Sequence, residues 1–331
     1  MRRGNVIFLV IILVIVGYLT NECRTLISLL FEDATAYAIS PKDLPPPGTK
    51  DNDNGTGTNL IPKIIHQTYI NSSIPAKWQE GQQACVNLHS DYEYILWTDE
   101  KSRDFIKKEY NWFLKTFDAY SYPIQRADTI RYFVLYHYGG IYIDLDDGCN
   151  RRLDPLLRYP AWLRFTTPTG ISNDAMGAVP HHPFFKFTID LLEEYNRSWV
   201  LGYITVMGST GPLFLSVVWK RYLWDHTKPS EIVRILMPAE YKNHPWSFFN
   251  IAKGSSWHGK DAQTIFWMLK HWVFLTVAGF LIAGVVGIGL WFAWSEWVMN
   301  TGKRTSHGRK KSFWKRVRGG GNRYELVDRM A

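Results

Sequence analysis

The sequence predicts an α/β domain built on a mainly parallel sheet and flanked by two membrane-spanning helices. Three observations point there. Short runs rich in β-branched and aromatic residues alternate with stretches of helical periodicity. Long uncharged apolar runs stand near both ends of the 331-residue chain. The acidic cluster Asp144-Leu145-Asp146-Asp147 follows directly on the apolar run Ile141-Tyr142-Ile143.

The apolar runs come first because they decide where the rest lies. A helix needs roughly 20 apolar residues to cross about 30 Å of hydrocarbon. Trp272 to Ser295 meets that length with no charge, and Gly4 to Asn21 only just does. A cleaved signal peptide is the alternative for the first run. Its apolar core is long for one, however, and no small-x-small cleavage site follows, so an uncleaved anchor is expected. The second run carries glycines at 279, 284, 287 and 289 and tryptophans at 272, 291, 294 and 297, near its two ends, as an interfacial aromatic belt would.

Charge then orients the chain. After Asn300 ten Lys or Arg stand against Glu325 and Asp328, a net +8 that equals the charge of the whole protein. The remainder is balanced, so the high pI is a property of the tail and gives no reason to expect nucleic-acid binding. Basic residues beside a span stay cytoplasmic, and Arg2 and Arg3 place the N-terminus on the same side. The expected order is a cytoplasmic N-terminus and anchor over 1–21, a juxtamembrane segment and stalk over 22–59, a luminal catalytic domain over 60–270, a second span over 271–297 and a basic cytoplasmic tail over 298–331. Sequons at Asn54, Asn71 and Asn196 agree with a luminal middle. Cys23, Cys85 and Cys149 allow one bond at most; Cys85 with Cys149 is one pairing open in an oxidising lumen. No Cys/His spacing resembles a zinc site.

Within the domain, 61–69 and 92–97 read as short strands, with a helix at Ala76 to Asn87 between them. Asp99 to Tyr110 opens on an acidic turn and continues as a helix. From Pro123 an apolar face at helical spacing runs to Gly139-Gly140, which stops it. Helices are expected again at Phe184 to Trp199 and Pro212 to Trp224, and a strand at Ile232 to Leu236. The Pro- and Gly-rich stretch from Ser40 to Asn59 reads as a stalk without a core.

Ligands of such sheets bind beyond the carboxyl ends of the strands, and Asp144, Asp146 and Asp147 stand at such an end. Carboxylates this close repel one another unless a cation neutralises them. Hard divalent ions take one or two protein carboxylates together with phosphate oxygens. Asp-x-Asp alone is a common triplet. It gains weight from Arg126, Asp128 and Arg131 on the helix before it, Asp128 and Arg131 sharing a face.

The run RADTIRYFVLYHYGGIYIDLDD (126–147), with IPKIIHQTY (61–69), Trp97-Thr98-Asp99 and NDAMGAVPHHPFF (173–185), resembles the DXD-type family of the fungal Och-like and inositol-phosphoceramide mannosyltransferases. The resemblance covers most of 60–260. The second span singles out the branch of mannosyl-inositol-phosphoryl-ceramide (MIPC) synthase catalytic subunits, since Och-like enzymes carry one anchor. The resemblance implies a GT-A, Rossmann-like fold, GDP-mannose as donor and Mn²⁺ as metal, with Mg²⁺ as its substitute. It further implies transfer of mannose, with retention, to the inositol of inositol-phosphoryl-ceramide on the luminal side of the Golgi membrane. A polytopic regulatory membrane subunit is implied as partner. Carried over, Asp128 and Arg131 contact the nucleotide or sugar, Asp144 bridges donor and metal, and Asp146 is the direct metal ligand. Asp147 lies outside the core motif and is expected only to support the turn. His258 resembles a late metal-completing histidine, Lys260 a charge for the diphosphate, Asp174 a group near the reacting carbon, and His66 a residue near the base.

Three rival readings remain at this stage. An Och-like mannosyltransferase acting on protein-linked glycans would share the motif. A haloacid-dehalogenase-like phosphatase would place Thr two residues after the second Asp, where this chain has Gly148. A membrane scaffold would use the acidic turn only to bind a cation.

Overall fold

A computed structural model of the chain describes residues 3–45, 59–166, 170–225, 228–242, 244, 246–251 and 259–318. The chain divides into two compact units, Met1–Glu22 with Thr264–Ala331, and Cys23–Gln263. In chain order the elements are α1 (Arg3–Glu22), α2 (Arg24–Leu30), β1 (Ile64–Thr68), α3 (Ala76–Leu88), β2 (Glu93–Trp97), α4 (Asp99–Glu109), α5 (Leu114–Ala119), α6 (Pro123–Tyr138), β3 (Gly140–Ile143) and β4 (Asp147–Cys149). They continue as β5 (Ala161–Phe165), β6 (Ile171–Ala178), α7 (Pro183–Tyr195), α8 (Gly202–Ser209), α9 (Pro212–Asp225), β7 (Val233–Leu236), α10 (Pro238–Tyr241), β8 (Phe249–Ile251), α11 (Lys260–Lys270) and α12 (Trp272–Arg318).

The first unit is α1 with α12. Trp272–Trp297 is long and apolar enough to cross a membrane, whereas Val6–Asn21 reaches that length only if Arg24–Leu30 is counted with it. The Phe8 ring meets Trp291 and Trp294, each at 5.9 Å, so the start of the first apolar helix lies against the end of the second.

The second unit is a six-stranded sheet in the order β2-β1-β3-β6-β5-β7. β6 alone runs antiparallel to its neighbours, and the other five strands are parallel to one another. Side chains alternate between two apolar layers, as the two-residue period of a strand requires. Tyr142, Leu163, Met176 and Ile235 face the helices α4, α6, α7 and α9, while Ile141, Ile143, Trp162, Ala175 and Leu236 face the opposite cluster with Ile65 and Cys85. β3 is buried at all four residues, which is why it reads as an unbroken apolar run.

Local signals explain the boundaries near the site. Thr98 caps α4 by accepting from the Lys101 amide, and acidic residues open and basic residues close that helix. Pro123 begins α6, and the Gln125 side chain accepts from the Tyr122 amide. At the other end Gly139 (φ 66°) and Gly140 (φ 94°) take left-handed conformations; a Cβ on Gly139 would stand 2.7 Å from Pro180, and one on Gly140 2.7 Å from the Ile64 carbonyl oxygen. Only glycine lets the helix turn back at once into β3.

Three features differ from the expectation. β5, β6 and α8 did not stand out in the sequence, and α7 stops at Tyr195 rather than Trp199. β6 (ISNDAMGA) is poor in strand formers and exists because β3 and β5 pair with it on both sides. The packed domain also begins at Cys23 rather than Leu60. Leu29, Ala34, Ile39 and Leu44 are buried in it, and Ala38 bridges to Ile235 of β7.

Cys85 of α3 and Cys149 of β4 form a disulfide across a separation of 64 residues. Constraining a loop of that length contributes about 4 kcal/mol in the chain-entropy description. A Cys85→Ser/Cys149→Ser variant should therefore unfold about 10 °C lower in a thermal melt. An unchanged melting temperature would show that the α3–β4 contact needs no crosslink.

Candidate active site

The carboxyl ends of the parallel strands β1, β2 and β3 converge on one cleft of about 840 Å³. Thr68 and Tyr69 come from the end of β1, Trp97 and Asp99 from the end of β2, and Asp144, Leu145 and Asp146 from the turn after β3. Arg126, Ile130 and Arg131 of α6 line a second wall, Gly202, Tyr203 and Val206 of α8 a third, with Trp78 from α3 and Asp261 from α11. The size lies in the range of small-molecule sites and suits a ligand as long as a nucleotide sugar.

Arg131 is held by a buried web. Its Nη2 pairs with Asp128 at 3.0 Å, its Nη1 donates to the Asn173 carbonyl at 2.6 Å, and its Nε donates to the Ala127 carbonyl at 3.2 Å. Asp128 also accepts from Asn173 Nδ2 at 3.0 Å and from the Thr210 hydroxyl at 3.1 Å. The same Nη1 of Arg131 also reaches Asp144 at 3.3 Å. The Tyr142 hydroxyl donates to Asp144 Oδ1 at 2.6 Å and accepts from Thr68 Oγ1 at 2.8 Å. Asp144 is thus oriented from two sides, while its side chain keeps 29% exposure to the cleft. Its own amide donates to the Asp174 carbonyl at 2.7 Å, tying the acidic turn to β6.

Burial pushes the Asp144 carboxyl up to about 7; Arg131 pulls it back and Asp146 adds repulsion. Burial likewise raises Asp146, with Asp174 as the main repelling charge. Such a pair gains from a divalent cation, and protons compete with that cation. Since Asp144 lies above its ordinary value, its charged form becomes dominant only as pH rises through about 7. Lowering pH from about 7.5 to about 5.5 should therefore weaken metal affinity about twenty-five-fold by protonating this group. The metal-free protein should lose stability over pH 4 to 7 as the raised group ionises, and added Mn²⁺ should restore it at the upper end. Melting temperatures with and without Mn²⁺ across that range decide the matter; a pH-independent metal shift would overturn it.

Residues 75–162 match the model of a glycosyltransferase sugar-binding region containing a DXD motif. "Mannosyl phosphorylinositol ceramide synthase CSH1" of Saccharomyces cerevisiae is 56% identical over 258 residues, which cover 77% of this chain and 69% of that one. "Inositol phosphoceramide mannosyltransferase 2" of Schizosaccharomyces pombe is 52% identical over 250 residues, covering 74% and 72%. The chain belongs to the mannosyl phosphorylinositol ceramide synthase family. Among solved structures, "PaToxG Glycosyltransferase" shares 22% identity at a TM-score of 0.39 over 49% of this chain and 69% of that one, a likeness too slight to carry weight.

Within this synthase-family chain the structure sorts the residues singled out in the sequence. Asp144, Asp146 and Arg131 meet on the cleft wall. Asp128 is 4% exposed and does not line the cleft; its carboxylate is taken by Arg131, Asn173 and Thr210, so it positions Arg131. His66 is fully buried, donating from Nε2 to the Gly139 carbonyl and accepting at Nδ1 from Trp97, and it too stands behind the cleft. Burial lowers it to about 4, which keeps it neutral and lets both ring nitrogens stay satisfied. Lys260 opens α11 between Gly259 and Asp261, both of which line the cleft. Asp174 stands on β6 beside the acidic turn, not in a loop. His258 lies outside the described residues.

Arg164 is the residue the sequence reading missed. It is 3% exposed, pairs directly with Asp147, and reaches Asp174 at 3.2 Å. Its guanidinium also lies over the Tyr241 ring at 4.2 Å. Asp147, expected only to support the turn, is instead one half of a buried ion pair and is 2% exposed. The available signal was a single charge inside the otherwise apolar run Ala161-Trp162-Leu163-Arg164-Phe165. Of the aromatic lining of the cleft, Tyr69 and Trp97 lie in runs that carried the family resemblance, whereas Trp78 and Tyr122 were unmarked, because nothing in their spacing brings them together.

Proposed function

We infer that this chain transfers mannose from GDP-mannose to the inositol of inositol-phosphoryl-ceramide, forming the mannosylated sphingolipid with retention at the sugar. One observation carries the reading. Asp144, Asp146 and Arg131 meet in a nucleotide-sugar-sized cleft, in a chain 56% identical to a named synthase of that lipid.

The acidic turn suits a divalent cation shared with the donor. Among the described residues no three His, Cys, Asp or Glu groups are arranged to hold a metal by themselves. Two carboxylates with raised pKa values, completed by diphosphate oxygens, make the donor set that Mn²⁺ or Mg²⁺ accepts. Asp146 would be the direct ligand and Asp144 the second. When bound, the cation neutralises charge growing on the departing diphosphate. Arg131 does the same from the α6 side, and its fixed web means that no reorganisation is needed as charge develops. Tyr142 holds Asp144 in register, and Asp174, beside the acidic turn on β6, is the candidate we assign to the reacting carbon, although it does not line the cleft itself. Lys260, together with His258 as a further metal ligand, completes the proposed donor site.

We place the enzyme in the Golgi membrane with its catalytic unit luminal, both termini cytoplasmic and a polytopic regulatory membrane subunit beside it. The basic tail, the sequons at Asn54 and Asn71 and the Cys85–Cys149 bond, which calls for an oxidising compartment, support that placement. The Phe8 contact with Trp291 and Trp294 fits an N-terminal apolar helix that starts on the side where the second one ends.

The test is to incubate membranes holding the wild-type chain with labelled GDP-mannose, Mn²⁺ and inositol-phosphoryl-ceramide, and in parallel with a protein-linked mannan acceptor. Mannosylated lipid is expected, abolished in Asp144→Ala. Label in the glycan alone would overturn the lipid reading, and label in neither would overturn both.

A further inference from the structure

Between α7 and α8 the chain leaves three successive large apolar residues to solvent: Trp199 is 57% exposed, Val200 fully and Leu201 40%. Soluble surfaces carry such residues singly; a contiguous run marks a contact. The backbone on either side of Val200 is held by Thr205. The Trp199 amide donates to Thr205 Oγ1 at 2.9 Å, the Thr205 hydroxyl is shared between the carbonyls of Trp199 (3.2 Å) and Leu201 (3.1 Å), and the Thr205 amide donates to Leu201 at 3.0 Å. A tip fixed in this way and showing three apolar side chains can sit at the headgroup boundary, where water still reaches the backbone at Val200.

Its position supplies the occupant. Leu201 leads into Gly202, and Gly202, Tyr203 and Val206 form one wall of the cleft. Tyr122, on the adjoining wall, packs so closely on Gly202 that a Cβ there would stand 2.6 Å from its hydroxyl. The same wall is close in the chain to the apolar helix: the Tyr203 amide donates to Asp261 at 2.7 Å, and Trp272 opens that helix eleven residues after Asp261. Even fully extended, that tether reaches less than about 40 Å. Tryptophan favours the headgroup boundary, and Arg197 beside it has a side chain long enough to reach lipid phosphates.

We propose that Trp199-Val200-Leu201 is a membrane-inserting lip of the cleft, dipping into the bilayer that holds α12 and bringing the cleft mouth to the headgroup of an embedded acceptor. The lip rests on the lipid-acceptor reading for its purpose but not for its test. The full-length chain carrying Cys23→Ser and Val200→Cys is labelled with an environment-sensitive dye and placed in phosphatidylcholine–phosphatidylinositol liposomes. Nitroxide on shallow acyl carbons should quench this label and spare one at Lys186→Cys on α7, while aqueous iodide should do the reverse. A label at 200 quenched by iodide, or shielded from both because another protein or a second copy covers it, overturns the proposal.

The functional arm uses Val200→Asp, which changes a side chain free of the core. It should raise the KM for bilayer-embedded acceptor about tenfold, while leaving kcat/KM for a water-soluble inositol-phosphate acceptor and the effect of Val200→Leu near wild type. Equal losses on both acceptors would overturn the lip. A wild-type chain that mannosylates no lipid would sink the functional reading instead, and the quenching result would stand on its own.

Discussion

Asp146→Ala is expected to lower mannosyl transfer about a thousandfold, from the loss of several kcal/mol of metal-mediated charge stabilisation, while leaving the protein at least as stable as the wild type. The two halves of that expectation have separate causes. Asp146 lines the cleft and forms no ion pair with either Arg131 or Arg164, the guanidiniums that hold its neighbours. Its carboxyl is raised by burial and by Asp174, so the folded protein bears a cost for keeping it charged. Removing it relieves repulsion and strips no ion pair, only a bond to its own backbone amide. Asp144→Ala differs, because it removes the present acceptor of the Tyr142 hydroxyl and one of the two carboxylates that balance the buried Arg131, so it should be as inactive as Asp146→Ala and melt below it. Initial rates beside thermal melts of the two variants make the comparison. An Asp146→Ala enzyme within tenfold of wild type would remove the carboxylate from the metal site.

The second large effect lies behind the cleft. Asp147→Ala should destabilise the domain by about 3 kcal/mol, the lower end of the cost of breaking a buried pair, since Arg164 keeps Asp174 at 3.2 Å as its remaining carboxylate. For a domain of this size that corresponds to a melting temperature lower by about 10 °C. Arg164→Met should cost as much, leaving Asp147 and Asp174 facing each other. The double variant Asp147→Ala/Arg164→Met should recover most of the loss, because an apolar replacement of a buried pair is often near neutral. Transfer should stay depressed in the double variant: Arg164 also holds Asp174, whose carbonyl receives the Asp144 amide. Additive losses in the double variant, or single variants that melt like wild type, would show that the pair is not coupled.

Much of the fold could be read along the chain wherever local and tertiary demands agree. α3, α4, α6 and α9 match their expected ranges within about two residues, because caps, proline and glycine punctuate them in the sequence itself. β3 and its acidic end were legible for the same reason: a strand buried on both faces is an apolar run, and the glycines before it fix where it starts. β6 was not, since Asn173, Asp174 and Gly177 argue against a strand until β3 and β5 supply partners on either side. The juxtamembrane residues 23–45 were also misjudged. Their apolar residues are too sparse to show a period, yet Leu29, Ile39 and Leu44 fill gaps in a core made by distant elements.

The acidic cluster shows where that boundary falls. Sequence by itself determined that carboxylates end a buried strand, that Asp128 and Arg131 precede them on one helix, and that apolar runs bracket the domain. These are short-range facts, settled by periodicity, charge and turn chemistry over twenty-odd residues. Tertiary structure alone decided what each carboxylate does. Asp146 opens into the cleft, Asp144 is held between Tyr142 and Arg131, and Asp147 turns inward to Arg164 seventeen residues away. Three identical side chains in four positions differ only in the charges and walls that other strands bring beside them, and no local pattern encodes those partners.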